Sequence, residues 1–129
     1  MIGTVTWGPD LIYSADEIWM QELNAHGAGN VETLPSHYDI MDTPSKVTAL
    51  LEAAGFASVR AWAAPSSYRL ELEHFVACRT SLGLFKRRLE TLDAQARASC
   101  VGRAVARLET MSTENFRDRS DVIFAVGVT

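Results

Sequence analysis

Cysteine and basic residues are both scarce in this sequence of 129 residues. Its two cysteines, Cys78 and Cys100, form no CxxC pair and no zinc-like spacing, which excludes a disulfide framework and a structural zinc site and is typical of a reducing compartment. The 12 Lys and Arg residues against 16 Asp and Glu give a formal net charge of -4. This balance argues against a general attraction to nucleic acid or to an anionic membrane surface.

Long apolar runs and targeting signals are missing as well. No stretch approaches the ~18 to 20 apolar residues that span a bilayer, and the amino-terminal segment lacks the basic and apolar regions of a secretory signal. We therefore expect a cytoplasmic protein with neither a membrane nor a nucleic-acid partner. The 47% hydrophobic and 22% charged residues are typical of a single globular domain, and residues 1–129 contain no linker or internal repeat that would divide it.

Strong local signatures of enzyme active sites do not occur. The sequence contains no GxxxxGK[ST], HExxH, GxSxG or EF-hand spacing. Gly27-Ala28-Gly29 lacks the third glycine of a dinucleotide-binding loop and follows a predicted helix instead of opening one, so we expect no phosphate site there. The histidines His26, His37 and His74 are dispersed, and we expect no metal ion.

Three segments have the composition of β-strands. Ile2–Trp7 is β-branched and aromatic and ends at a Gly-Pro pair, while Val59–Ala63 alternates in the manner of a half-buried strand. The last segment, Asp121–Thr129, is an almost continuous apolar run. Such a run is typical of a central strand that is buried on both faces.

The clearest helical signal covers Pro44–Ala54. Thr43 stands at the N-cap position, and Pro44 occupies the first helical position, where its missing N–H costs nothing. Gly55 follows in the position that favours a left-handed backbone, and Phe56 is placed to fold back over the last turn. These signals together predict a helix, a glycine turn and a strand in succession.

Two further regions are predicted to be helical. One helix runs from Ala15 to Ala25, with Ser14 or Asp16 as its cap. The region from Tyr68 to Met111 carries apolar residues at helical spacing and is expected to form two or three helices. The breaks between them are expected near Ser81-Leu82-Gly83 and Leu92-Asp93.

Aromatic residues and one histidine are the candidates for binding a small molecule. Trp7, Tyr13 and Trp19 lie close together in the sequence, and they form either core packing or the wall of a site for an apolar or aromatic substrate. His37 and Tyr38 stand together in a loop between helices, where the imidazole is either structural or a general base.

Four segments carry a resemblance to one known family. They are the strand end Thr6-Trp7-Gly8-Pro9, the cap Thr43-Pro44-Ser45, the run Leu50-Leu51-Glu52-Ala53-Ala54-Gly55-Phe56 that leads into Val59, and the terminal apolar strand. Together they resemble the C-terminal half of a class I S-adenosylmethionine-dependent methyltransferase of the small-molecule type found in ubiquinone and menaquinone biosynthesis.

The resemblance implies an α/β, partial Rossmann-like fold with a three-stranded mixed sheet, in the order 5-7-6 in family terms. Helices would pack on this sheet, and residues 68–111 would form a helical insert before the last strand. S-adenosylmethionine is implied as the cofactor of a full-length family member, and a small molecule as its substrate. The family's Gly-rich loop and acidic strand end have no counterpart in this sequence, so we expect no cofactor-binding residue and no cofactor bound by this chain alone.

Within the resemblance, the catalytic residues stay unassigned and the substrate-contact candidates are Trp7, Tyr13, Trp19, His37 and Tyr38. The expected function is that of the substrate-side, C-terminal portion of such a methyltransferase, inactive by itself. A non-catalytic small-ligand-binding or dimerisation module derived from the same fold is one alternative. An unrelated α+β enzyme that uses His37 with Asp39 or Asp42 is the other.

A homodimer is the expected assembly. If Ile2–Trp7 is the fifth strand of the family, the fourth strand that normally pairs with it is missing. Its backbone would then present unpaired N–H and C=O groups along one edge. We expect two copies to associate through this exposed edge.

Overall fold

The computed structural model describes residues 1–9, 12–32 and 38–129, and of residue 38 the backbone alone. These residues form an α/β structure with five α-helices, three strands and two short 3₁₀ helices at Tyr38–Ile40 and Thr113–Phe116. In chain order the longer elements are β1 (Ile2–Trp7), α1 (Ser14–Ala25), α2 (Pro44–Ala53), β2 (Ser58–Arg69), α3 (Leu72–Ser81), α4 (Gly83–Leu89), α5 (Ala94–Leu108) and β3 (Arg117–Val128).

The chain divides into two compact units. The sheet unit contains the described residues of Met1–Leu11, Pro35–Tyr68 and Arg119–Thr129. The helical unit contains those of Ile12–Leu34 and Arg69–Asp118. The single domain expected from length and composition stays a prediction.

The three strands form one open sheet in the order β1-β3-β2, so the last strand lies in the middle. β1 and β3 are antiparallel, with a register that runs from Ile2 opposite Gly127 to Trp7 opposite Val122. The expectation of a mixed sheet is wrong, because the sheet is antiparallel throughout. The reason is that β3 runs against both of its neighbours, so no two adjacent strands are parallel.

The central strand is buried on one face only, which corrects the expectation that it is buried on both. Ile123, Ala125 and Gly127 are buried, whereas the residues between them are only partly buried. Helix α2 covers the buried side, where Val47 and Leu51 pack against Ile123 and Ala125. The same alternation along β1 and β2 leaves the other side of the sheet with large exposed apolar side chains.

The predicted helix, turn and strand are confirmed, with α2 ending one residue earlier than expected. The Thr43 hydroxyl accepts a hydrogen bond from the Lys46 backbone N–H at 3.3 Å. At the other end Gly55 has a φ of 94°, and the N–H of Phe56 donates to the Leu51 carbonyl at 3.1 Å. This Schellman arrangement turns the chain directly into β2 and places Phe56 against the core of the sheet unit.

The helical unit is built around α1, α3, α4 and α5. Both expected breaks are confirmed: α3 ends at Ser81 before Gly83 opens α4, and the Asp93 carboxylate caps α5 by accepting from the Ala96 N–H at 2.8 Å. The helical region begins at Leu72 and not at Tyr68, because β2 continues to Arg69. The first four residues of the predicted helical insert are therefore the end of β2 and the two residues that connect it to α3.

The predicted cap of α1 is wrong. The N-cap residue is Tyr13, and neither Ser14 nor Asp16 caps the helix with its side chain. Asp16 lies inside the first turn and forms an ion pair with Arg79 of α3 at 2.7 Å. The Asp16 carboxylate, which the local pattern predicted to cap α1, therefore pairs with the distant Arg79 instead.

A buried carboxylate links α1 to α5. Glu22 is only 2% exposed, and its Oε1 accepts a hydrogen bond from the Arg107 guanidinium at 2.7 Å. Its Oε2 is buried without a hydrogen-bond partner among the described residues, and the nearest cationic atom, Nε of Arg103, lies 3.5 Å away. Arg107 itself is 40% exposed, so the two members of the pair are buried unequally.

This unequal burial predicts unequal costs when either partner is removed. Arg107→Met leaves a buried carboxylate without its main partner and should lower the free energy of unfolding by about 3 kcal/mol. Glu22→Gln keeps an oxygen that accepts a hydrogen bond from Arg107, and water can still reach the Arg107 guanidinium. This variant should lower the free energy of unfolding by about 1 to 2 kcal/mol. Urea denaturation of both variants measures the difference, with Glu17→Gln on the exposed side of α1 as the matched control. A larger loss for Glu22→Gln than for Arg107→Met would contradict this account.

Candidate functional site

The sequence-predicted site residues fall in different parts of the structure. Trp7 lies in the sheet unit and is 55% exposed, while Tyr13 and Trp19 belong to the helical unit. His37 lies outside the described residues, and so does the side chain of Tyr38, whose backbone begins a 3₁₀ helix. Substrate contact by these residues stays a prediction.

Tyr13 and Trp19 are brought together by an aromatic cluster in the helical unit. Both rings lie edge-on to Phe75, with centroid distances of 6.2 and 6.0 Å. Trp19 is 1% exposed and Phe75 is fully buried, so this cluster forms the packed centre of the unit. The geometry of these two candidates is that of core packing.

A polar clamp lies at the border of this cluster. Arg79 donates through Nη2 to the Tyr13 hydroxyl and through Nε to Asp16 Oδ1, both at 2.7 Å. Its guanidinium carbon lies 4.6 Å from the centre of the Phe75 ring and 4.9 Å from that of Phe85. The clamp therefore fixes α1 against α3 by charge, hydrogen bonds and cation–π contact at once.

The clamp also sets the ionisation of Tyr13. Burial, and next the negative charge of Asp16, raise the pKa of Tyr13 to about 12, against an opposing effect of Arg79. Burial lowers the pKa of Arg79, but its hydrogen bond and charge interaction with Asp16 outweigh that effect, so the pKa is raised overall. At neutral pH the phenol is therefore protonated and serves as a hydrogen-bond partner instead of a base.

The sheet unit presents an open sheet face on the side away from α2. Its exposed members include Val5, Trp7 and Trp62, which are 67%, 55% and 40% exposed. Trp62 stacks on Phe124 with ring centroids 5.6 Å apart, and Val5 lies directly across the ladder from Phe124. The residues of the open sheet face are Gly3, Val5, Trp7, Arg60, Trp62, Val122, Phe124 and Val126.

Arg60 supplies the charge on the open sheet face. Its guanidinium carbon lies 5.2 Å from the centre of the Trp62 ring. An exposed apolar patch of this kind commonly marks an interaction site. Trp7 is the member of this patch that the sequence had already singled out, from its place at the end of a strand.

A cavity of about 530 Å³ lies in the sheet unit near the point where β1 ends. The Gly8 N–H donates to the Asp121 carbonyl at 2.8 Å, which holds the chain after Trp7 close to β3. A Cβ at Gly8 would lie 3.1 Å from the Asp121 Cβ, so a larger residue would crowd this approach. The cavity is lined by Pro9, Pro65, Ser66, Ser67, Arg119, Ser120 and Asp121.

The cavity combines hydroxyl groups, one carboxylate and one guanidinium with two proline rings. Such a mixture of apolar wall and few polar groups is suited to orienting a small molecule, and the volume is in the range of small-molecule sites. The sequence alone did not indicate these residues, because β2 and β3 meet here only in the folded chain. Pro65 within a strand was the one local signal, since proline in a sheet marks an edge strand or a bulge.

Asp39 and Asp42, the two residues named as possible partners of His37, both lie next to Lys46. Asp42 Oδ1 accepts a hydrogen bond from the Lys46 ammonium at 2.7 Å, and the Asp39 backbone carbonyl accepts from the same group at 2.6 Å. Lys46 therefore ties this segment to the first turn of α2. The ion pair gives the carboxylate of Asp42 a local structural role.

The positive-φ glycines bear on whether the described residues could hold S-adenosylmethionine. The glycines with positive φ are Gly27, Gly55 and Gly83, and they lie after α1, after α2 and at the start of α4. Within the described ranges no such glycine opens a helix directly after a strand, which is the arrangement that brings backbone N–H groups to a nucleotide. The one glycine after β1, Gly8, is packed against Asp121.

Metal-binding clusters and membrane-spanning helices are both absent from the described ranges. Residues 1–9, 12–32 and 38–129 contain no group of three or more His, Cys, Asp or Glu side chains that could hold a metal ion. Both cysteines are free thiols, and burial, followed by the charge of Glu22, raises the pKa of Cys100. None of the helices described is both long enough and apolar enough to cross a membrane.

Comparison of the chain with known protein families found no family model that matches, and no curated protein matches it either.

The high pKa of Tyr13 predicts a late step in alkaline titration. The group keeps its proton to a higher pH in the folded chain than in the unfolded chain, so folding stability should fall as the pH rises from about 10 to about 12. Tyrosinate absorbance near pH 12 should therefore include a step that Tyr13→Phe removes. Tyr68→Phe is the control, because Tyr68 is 62% exposed and is not part of the clamp, so this variant should leave the late step in place. Complete tyrosine ionisation well below pH 12 in the folded protein would show the account of the clamp to be wrong.

Proposed function

We propose that this chain is the substrate-side, C-terminal part of a class I S-adenosylmethionine-dependent methyltransferase that acts on a small molecule, and that it is inactive alone. In family terms β1, β3 and β2 would be strands five, seven and six. The observation that supports this best is the insertion of the last strand between β1 and β2, combined with the α2, Gly55 and β2 connection.

The proposal places the substrate in the cavity next to the end of β1. Ligands of open α/β sheets bind beyond the carboxyl ends of strands, and β1 ends two residues before Pro9, which lines the cavity. Asp121 and the neighbouring serines would hold polar groups of the acceptor, and the rings of Pro9 and Pro65 would cover an apolar part. Placing the acceptor accurately is the main contribution that such a part of the fold makes to group transfer.

A partner must supply the cofactor in this proposal. Among the described residues no positive-φ glycine opens a helix directly after a strand to receive the cofactor, so no step of the reaction is assigned to them. What they contribute is a site that binds and orients the acceptor.

A non-catalytic binding or dimerisation module is the second candidate. Two features favour it. One is the open sheet face, and the other is the position of β1 at an edge of the sheet, where Val5 is 67% exposed. A homodimer through this edge is part of that candidate.

A nuclear magnetic resonance titration tests the first proposal. With 1-naphthol as the probe we expect saturable shifts of the backbone amides of Ser66, Ser120 and Asp121, because these residues line the cavity. The indole of Trp19 should not move, since Trp19 is 1% exposed. Asp121→Asn should weaken binding several-fold, and Glu52→Gln on the exposed surface of α2 should leave it unchanged.

S-adenosylmethionine as a second titrant completes this test. The chain alone should give no saturable shifts with it, because no described residue builds the cofactor site. Saturable cofactor binding, or 1-naphthol shifts confined to residues away from the cavity, would overturn the proposal.

A further inference from the structure

The two edges of the sheet differ in how well they are protected against pairing. The β2 edge contains Pro65 and carries the charged residues Arg60 and Arg69. β1, on the other edge, has the sequence IGTVTW, without a charged residue or a proline. Charges and prolines are the usual means by which edge strands avoid pairing with another chain, so β1 is the edge that is open to it.

The side chains of β1 have room for a partner. Val5 and Trp7 are 67% and 55% exposed, and a Cβ added at Gly3 would meet nothing within 4 Å. Alternate residues of an edge strand direct their N–H and C=O groups away from the sheet, where they can form a further ladder. The absence of charge on β1 means that a second copy would bring no like charges face to face.

We infer that β1 pairs antiparallel with β1 of a second copy, with Val5 on the two-fold axis, to form a continuous six-stranded sheet. A two-fold axis that relates two antiparallel edge strands is perpendicular to the sheet, so residues paired across it point to the same face. Only registers that pair odd with odd residues then satisfy the alternation of the strand. With Val5 on the axis, Trp7 of each copy lies opposite Gly3 of the other.

This register places the largest residue of the strand, Trp7, opposite the smallest, Gly3. An indole placed opposite glycine can lie over the backbone that no side chain covers, which both buries the ring and covers the glycine. The two open sheet faces become one surface in the dimer. The inference deepens the dimerisation candidate and rests on it, and it does not depend on the methyltransferase proposal.

The size of the contact predicts how tight the dimer is. The contact consists of a six-residue edge and one half-exposed tryptophan from each copy. We expect it to bury less surface than a standard stable interface, which buries about 1,200 to 2,000 Å². We therefore expect a dimer that dissociates at micromolar concentration. Sedimentation equilibrium of the untagged full chain should show a concentration-dependent mixture of monomer and dimer.

Disulfide trapping tests the register. In a Cys78→Ser background, Val5→Cys should cross-link rapidly under mild oxidation, because the thiol at position 5 of one copy lies opposite the thiol at position 5 of the other. Cys100 is 1% exposed and serves as an internal control that does not react. Thr4→Cys is the matched variant: it would lie opposite Thr6 of the other copy and should not cross-link.

A charge on the axis tests the same contact without a new bond. Val5→Lys should raise the dimer dissociation constant at least tenfold, since two ammonium groups would then face each other. Leu50→Lys on α2 is the control, because Leu50 is 42% exposed on the other side of the sheet and should leave the constant unchanged.

Two results would overturn the inference. One is a monomer at all concentrations up to the millimolar range, and the other is a dimer in which Thr4→Cys cross-links and Val5→Cys does not. If the chain is a monomer that binds 1-naphthol in the cavity, the dimer inference is wrong and the methyltransferase proposal stands. If it forms a Val5-centred dimer that does not bind 1-naphthol, the dimer inference stands and the methyltransferase proposal is wrong.

Discussion

The backbone ladder between β3 and its two neighbours is the constraint on which the sheet unit depends. β3 follows the whole helical region in the sequence, yet it lies between β1 and β2 and pairs with strands that come much earlier in the chain. The surface that α2 covers is made by these non-local contacts. With α2 burying one side of the sheet, the other side is left as the open sheet face, and the strand order leaves β1 at an edge.

Local chemistry made part of the fold predictable. Thr43, Pro44 and Gly55 act within one helix, so their effects can be read without knowing what the helix packs against. The same holds for Asp93 and the break before Gly83. In each case the signal and the structure it produces lie within a few residues of each other.

Long-range pairing made the rest unpredictable. Asp16 could cap α1 or pair with a distant cation, and only the fold shows that Arg79 takes it. The apolar run before the carboxyl terminus indicated a buried strand but could not show that just one face would be covered. The cavity next to β1 was missed because its walls come from β2, β3 and Pro9, and of Trp7, Tyr13 and Trp19 only Trp7 lies in the sheet unit that holds it.

The two functional proposals make different demands on the same edge. A partner that completes a methyltransferase sheet in the way of the resembled family would add its strand beside β1, and so would a second copy of this chain. Both cannot occupy that edge at once. If both occur, self-association would limit assembly with a cofactor-binding partner, and the cavity would stay available in either state.

Residue-resolved amide hydrogen exchange in dilute solution tests most directly whether β1 is a strand held on one side only. We predict that the amides of alternate residues between Ile2 and Trp7 exchange slowly because they face β3, while those between them exchange fast because they face solvent. Along the interior of β3, between Val122 and Val126, all amides should be protected by one neighbour or the other. Uniform protection of β1 at low protein concentration would contradict this account, and so would uniformly fast exchange, which would mean that β1 does not pair with β3.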